Sequence, residues 1–265
     1  ASGIATLDPA FAKDQATIWV CNQLFNGLVQ LNEKLEVVPS IAKIWDISND
    51  GLSYTFYLRD DVLFHHHEIF TQERRVVASD FSYSFDRLKS KQLASPGAWV
   101  LANVNSYTAI NDSTFNIILK NPFPPFLGLL SMPYCSVVPK EIVENTDFRD
   151  HPIGTGPFQF QFWKEGVKLV FRKNQNYFEK KGDNGLPYLD AVAITFIKDK
   201  QAAFLEFLKG NLDFISGIDA SYKDEVLKRD GGLQEKYKGK INLQSEPYLN
   251  TEYLGFLMED TLPLE

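Results

Sequence analysis

The sequence predicts a mixed α/β chain with an antiparallel, hairpin-rich subdomain inserted into it. Three observations carry this. Strand–helix–strand patterns stand at both ends, and two alternating hairpins fill the middle. The 265 residues are 44% hydrophobic, ample apolar material for a core. The length is compatible with one large domain or two smaller ones.

Taken in order, Ile18, Cys21, Leu24, Phe25 and Leu28 recur at three- and four-residue spacing. That predicts a helix over residues 14–28, opened by Asp14 and weakened in its last turn by Gly27. A short strand is expected at 28–31, then a turn and an extended stretch. Ile44, Asp46 and Ile47 lead into the turn cluster Ser48-Asn49-Asp50-Gly51. Residues 52–58 then alternate, with Tyr54, Phe56 and Leu58 on one side, which reads as a hairpin. Phe81, Phe85 and Leu88 fall at helical spacing, with Ser79 able to cap that helix. Residues 107–119 form a second hairpin around Asn111-Asp112-Ser113. Pro122, Pro124 and Pro125 make a rigid link, because each proline fixes φ and bars helix. One helical turn is expected at 126–130, a strand at 135–138, and a short helix opened by Pro139. Strands at 158–163 and 167–172 pair around Lys164-Glu165-Gly166. A strand at 189–196, a helix at 200–208 stopped by Gly210, a strand at 212–215, a helix at 223–229 and strands at 241–244 and 252–257 complete the reading.

The net charge of -7 argues against a nucleic-acid surface, which needs clustered Lys and Arg. No apolar run approaches the ~20 residues of a membrane span. No secretory signal opens the sequence, so the expectation is a cytoplasmic or already trimmed chain. Its first residues read as mid-sequence, and Leu264-Glu265 is compatible with a cloning scar. Cys21 and Cys135 sit in apolar contexts and are expected as two buried free thiols. A long-range disulfide stays open for an oxidising compartment.

Chemistry-bearing motifs are few. His65-His66-His67 cannot all ligate one ion from a strand, since side chains alternate, so they read as an exposed loop and no metal site is expected. Asp80 and Asp86 read as capping or solvating their helix, Asp8 and Asp50 as turn formers, and Asp46 as a surface carboxylate. No carboxylate pair, Ser-His-Asp set or Cys-His pair stands in a catalytic context, so no catalytic residue and no cofactor is expected. The informative stretch is residues 151–160, with Gly154, Thr155, Gly156 and Pro157 ahead of an apolar run. A phosphate loop would need a helix and a Lys-Ser/Thr pair after the glycines, and here a proline and a β-alternating run follow. What remains is a tight turn with accessible backbone amides, either a structural corner or a place where a ligand meets the main chain. Pro157 is structural in either case.

Four blocks then carry a family resemblance: LDPA with the following LFNGLVQLN; PSIAKIWDISNDGLSYTFYLRDDVLFH; VVASDFSYSFDRL; and IGTGPFQFQFWKEGVKLVFRKNQNYF. In this order the chain resembles the peptide-binding class of solute-binding proteins of ABC transporters (extracellular solute-binding proteins, family 5), whose members carry oligopeptides, dipeptides, nickel complexes and some sugars. The resemblance covers nearly the whole sequence. It implies an α/β, type II-like periplasmic-binding-protein lobe: a mixed sheet with helices and an inserted antiparallel β-rich subdomain. Residues 1–43 plus 165–265 would form an incomplete first lobe and residues 44–164 the inserted subdomain, with the second lobe absent from this chain.

The same resemblance implies a peptide or other small solute as ligand and ABC permease subunits as partners, with no nucleic acid. Contact with a membrane would come only through a lipid anchor or the permease, in a periplasmic or cell-surface lipoprotein. A cleft of this kind is lined by aromatic faces with a few polar groups. The candidates by chain position are Phe25, Asn26, Gly154, Thr155, Gly156, Tyr248, Asn250 and Tyr253. Two rivals stay open. One is a solute-sensing domain of a DNA-binding regulator, which a basic helix-turn-helix segment would reveal. The other is a carbohydrate-active enzyme using Asp or Glu pairs, which a hydrolysis screen would reveal.

Overall fold

The computed structural model describes residues 3–181, 184–245, 251 and 253–256. The chain divides into two compact units, residues 1–197 and 198–265.

The first unit runs α1 (Gln15–Leu24), β1 (Val29–Leu31), β2 (Val37–Pro39), β3 (Ala42–Ile47), β4 (Ser53–Leu58), α2 (Ala78–Lys89), β5 (Val104–Asn111), β6 (Thr114–Leu119), α3 (Phe126–Leu130), α4 (Lys140–Val143), β7 (Phe158–Lys164), β8 (Lys168–Lys173), β9 (Lys180–Lys181), β10 (Asn184–Gly185) and β11 (Ala191–Thr195). Among the described residues all strand pairs are antiparallel, in a four-stranded sheet β3-β4-β6-β5, a three-stranded sheet β11-β8-β7 and the ribbons β1-β2 and β10-β9.

The four-stranded sheet forms because two adjacent hairpins each alternate cleanly. Tyr54, Phe56 and Leu58 of β4 and Phe115, Ile117 and Leu119 of β6 all point into the core, with Phe56 opposite Phe115. The turn between β3 and β4 is locked by Asp50, which accepts from the Ser48 hydroxyl and the Leu52 N–H (3.0 Å for the latter), while Gly51 supplies φ +70. The Ser48 hydroxyl, more than the Leu52 amide, holds the Asp50 carboxyl below its ordinary range. Helix α2 lays Phe81, Phe85 and Leu88 against this sheet. Phe81 and Phe85 lie 5.8 and 5.6 Å from the Phe115 ring, and Phe85 meets Tyr107 edge-on at 5.4 Å.

Helix α2 starts at Ala78, two residues earlier than a Ser79 cap would give. Asp80 closes the start by accepting from the Val77 N–H at 2.9 Å. It is also buried and held by Arg74 at 2.6 and 3.1 Å, so it is a structural ion-pair partner more than a solvated face. Asp8 likewise does more than turn the chain. It caps residues 9–11 and forms a two-pronged pair with Arg87, whose guanidinium lies 5.6 Å over the Phe148 ring. Both cysteines are free and buried. Burial raises both thiols, Cys135 to about 12.

The second unit has α5 (Lys200–Leu208), α6 (Lys223–Val226) and a small core of Phe204, Tyr222, Val226 and Tyr237, with Phe204 stacked on Tyr222 at 4.6 Å. Asp199 caps α5 and Gly210, at φ +81, follows its end. The strands expected at 212–215 and 241–244 do not form. Both stretches are half-buried or exposed, and among the described residues neither finds a partner strand, without which an extended apolar run has nowhere to place its backbone hydrogen bonds. Of the strand expected at 252–257, residues 253–256 are described and are irregular, while 252 and 257 lie outside the described residues.

Candidate functional site

The structure brings Phe25, Asn26, Gly154, Thr155 and Gly156 together at the end of α1. The helix stops at Leu24, short of the Leu28 its apolar spacing suggests. Phe25 is extended at φ -133, ψ 158. The cause is tertiary. The Leu24 carbonyl takes the Gly156 N–H at 2.9 Å, and the carbonyls of Asn26, Gly27 and Leu28 take the N–H groups of Val137, Ile41 and Ala42 at 3.0, 3.2 and 2.9 Å. Residues 24–28 are thus a hub for three distant segments, and a further helical turn would forfeit these bonds.

The glycines are required by this hub. A Cβ on Gly154 would stand 2.0 Å from the Leu24 oxygen and 2.6 Å from the Phe25 ring. One on Gly156 would stand 2.4 Å from the Leu24 carbonyl carbon and 2.5 Å from the Gln23 oxygen. Their amides are not accessible, contrary to the expectation from sequence. The Gly154 N–H donates to His65 Nδ1 at 3.3 Å and the Gly156 N–H to Leu24. All three residues of the loop are buried.

The exposed loop expected for His65-His66-His67 does not hold for His65: it is buried at 3% exposure, while His66 is at the surface and His67 half-buried. Its main-chain N–H donates to the Gly154 carbonyl at 2.8 Å, and its Nε2 lies 3.0 Å from the Gly156 carbonyl. Because Nδ1 accepts from Gly154, the proton sits on Nε2, which donates to Gly156. Burial pushes this imidazole down to about 4, against a smaller opposing pull from the Gly156 carbonyl.

A polar chain leads outward from the loop. The Thr155 hydroxyl donates to Asn26 Oδ1 at 3.0 Å, and Asn26 Nδ2 donates to the Tyr177 hydroxyl at 3.3 Å. Asn174 adds a second donor to the Gly156 carbonyl at 2.9 Å. Burial, then the nearby Glu179, raises the Tyr177 phenol. Glu179 accepts from Gln30 at 2.6 Å and lines a polar cavity of about 460 Å³ with Arg59, Asp61, Phe178 and Lys180. His65, Asn174 and Tyr177 were missed from sequence. The last two stand in the Asn-x-Asn-Tyr-Phe run that ends the fourth block, which was the available signal. Tyr253, in the second unit, is 89% exposed, and Tyr248 and Asn250 lie outside the described residues. Among the described residues no group of three His, Cys, Asp or Glu is placed to hold a metal ion, and no helix is long and apolar enough to cross a membrane.

This mixed α/β fold with antiparallel sheets is shared with periplasmic binding proteins. Helicobacter pylori DppA, solved in complex with the peptide STSA, superposes with a TM-score of 0.76 at 29% identity, over 84% of this chain and 46% of that one. Campylobacter jejuni NikZ in complex with Ni(L-His) gives 0.68 at 32% identity, over 79% and 40%. The family of bacterial extracellular solute-binding proteins, family 5 (middle), matches residues 36–263, and the chain belongs to it. That is a family of solute-binding proteins and not of enzymes. The chain is 31% identical to the periplasmic murein peptide-binding protein MppA of Escherichia coli over 95% of its own length and 47% of that protein's. It is 27% identical to the E. coli dipeptide-binding protein over 88% and 44%. The chain therefore spans about half the length of the curated relatives it matches.

Proposed function

We propose that this chain is the first lobe of a solute-binding component of an ABC import system, and that the whole protein captures di- or oligopeptides between two lobes and hands them to a permease. The observation that carries the peptide reading is family membership together with relatives named for dipeptides and murein peptides. In this reading Phe25, Asn26 and the 154–156 loop form a rigid wall of the cleft, and Tyr248, Asn250 and Tyr253 are further ligand contacts by chain position alone. The wall suits such work because its backbone is held by internal hydrogen bonds, so little ordering remains to be done on binding. Closure of two lobes over the ligand follows from differential affinity for the closed state. The protein would work in the periplasm or at the cell surface, held there by a lipid anchor.

The similarity to NikZ favours a second reading, a nickel chelate as cargo. Native mass spectrometry of the full-length protein, purified without denaturation, separates them. Adducts with a spread of peptide masses support peptide uptake, and a single nickel-containing adduct supports the chelate. An empty protein that also ignores peptide mixtures in thermal-shift titration refutes the peptide assignment.

A further inference from the structure

We propose that His65 is the positioning residue of this wall: its neutral imidazole latches the 154–156 loop, Thr155 in turn sets the Asn26 side chain, and protonation releases both. The importance of the loop for ligand capture rests on the function proposed above. The latch itself does not.

The geometry is specific. Three hydrogen bonds join one residue to one loop, at 2.8, 3.0 and 3.3 Å, and two of them pass through the ring. The Nε2–H tautomer satisfies both ring contacts. A second proton on Nδ1 would face the Gly154 N–H, donor against donor, and would place a charge in a site with 3% exposure. The loop cannot shift to relieve this while it stays docked, because Gly154 and Gly156 lie directly on the backbone of residues 23–25. Release of the loop frees the Thr155 hydroxyl, which is 3.0 Å from Asn26.

The groups around His65 do not favour its cation. Desolvation lowers its pKa to about 4, and the opposing influence is the Gly156 carbonyl, not a carboxylate. In its own segment His66 is at the surface, and His67 Nδ1 accepts from the Ile69 N–H. The chain leading to the loop carries Asp150, paired with Arg149, and the exposed His151. The end of α1 carries the buried Cys21, and the 174–180 segment carries Tyr177 and Glu179. With the docked imidazole near 4 and the released one near its ordinary value, the open form gains roughly thirtyfold on the latched form at pH 5 relative to pH 7.5.

Nitrogen-15 NMR of the full chain tests this without a ligand. At pH 7.5 the His65 ring is expected as the Nε2–H tautomer. On acidification to pH 4.5 the amides of Gly154, Thr155 and Gly156 move with the His65 midpoint, and Gly154 and Gly156 lose exchange protection. The amides of Phe56 and Phe115, in the four-stranded sheet, hold their shifts. His65→Gln, which keeps a donor toward Gly156 and does not titrate, is expected to preserve the loop signals at pH 7.5 and to flatten their pH profile. The proposal is overturned by the opposite tautomer, by loop amides that ignore His65, or by the same profile in His65→Gln. It is also overturned by sheet amides that shift at the His65 midpoint, since His65 would then serve global stability only. The wild-type titration stands on its own if the variant does not fold. Capture of a defined tetrapeptide library by the full-length chain separates the two readings: a latch that titrates as stated in a chain that captures no peptide removes the cleft assignment and leaves the latch.

Discussion

Gly156→Ala tests whether the packing of the loop on α1 is what holds the wall. The added methyl would lie 2.4, 2.5 and 2.7 Å from Leu24 C, Gln23 O and Phe25 N, all backbone atoms. Carbon contacts are comfortable at about 3.5–4.0 Å, so the loop and the helix end must separate by about 1 Å. That separation breaks the 2.9 Å bond from the Gly156 N–H to Leu24, a loss of about 1 kcal/mol. Overpacking adds about 1–3 kcal/mol. Disturbance of the His65 and Thr155 contacts adds about another 1 kcal/mol. The expected destabilisation is about 3–5 kcal/mol, or a fall in Tm of roughly 6–20 °C for a unit of this size. Urea denaturation at pH 7.5 would read it as a lowered midpoint at constant slope. Gly128→Ala is the control. It lies in α3 with nothing within 4 Å of its Cβ, and helix propensity predicts a change of no more than about 1 kcal/mol, in the stabilising direction. A Gly156→Ala chain within about 0.5 kcal/mol of wild type would refute the reasoning, because no backbone clash of that depth relaxes for so little.

Stability should also fall with acid through His65. Its folded value, about 4, lies below the unfolded one, near 6.5, so the unfolded chain takes the proton first. The contribution is whole above pH 6.5 and is lost as pH falls toward 4. It amounts to about 2 kcal/mol between pH 7.5 and pH 5, and urea titrations of wild type and His65→Gln at the two pH values should differ by that much. Arg87→Met strands the Asp8 carboxylate, whose side chain is 6% exposed, and should destabilise by about 3–5 kcal/mol, with Asp8→Asn in the same chain recovering part of it. Cys21 and Cys135 should resist alkylation in the native state and react at the rate of unfolding, since burial raises both thiols; rapid labelling in buffer would contradict the packing described.

What the sequence made legible was local. The alternation of Tyr54, Phe56 and Leu58 and the helical spacing of Phe81, Phe85 and Leu88 are satisfied by neighbours on the next strand or turn, so pattern and structure agree. What it hid was decided at a distance. The end of α1 could not be read from residues 14–28, because the Leu24 carbonyl is claimed by Gly156. Three consecutive histidines look alike in sequence, yet only the first meets the glycine loop and becomes buried. The runs at 212–215 and 241–244 have strand-like composition and no described partner. The choice posed at residues 154–156, corner or contact, changes form once α1 is in place. The glycines are needed by the helix backbone that fills their Cβ space, which makes the corner obligatory. The one side chain in the loop, Thr155, is committed to Asn26. A role in ligand capture therefore has to pass outward, through Asn26 and Tyr177, and a Thr155→Val chain that folds normally but loses affinity for a captured peptide would be its signature. Unchanged affinity in that chain would leave the loop as a corner alone.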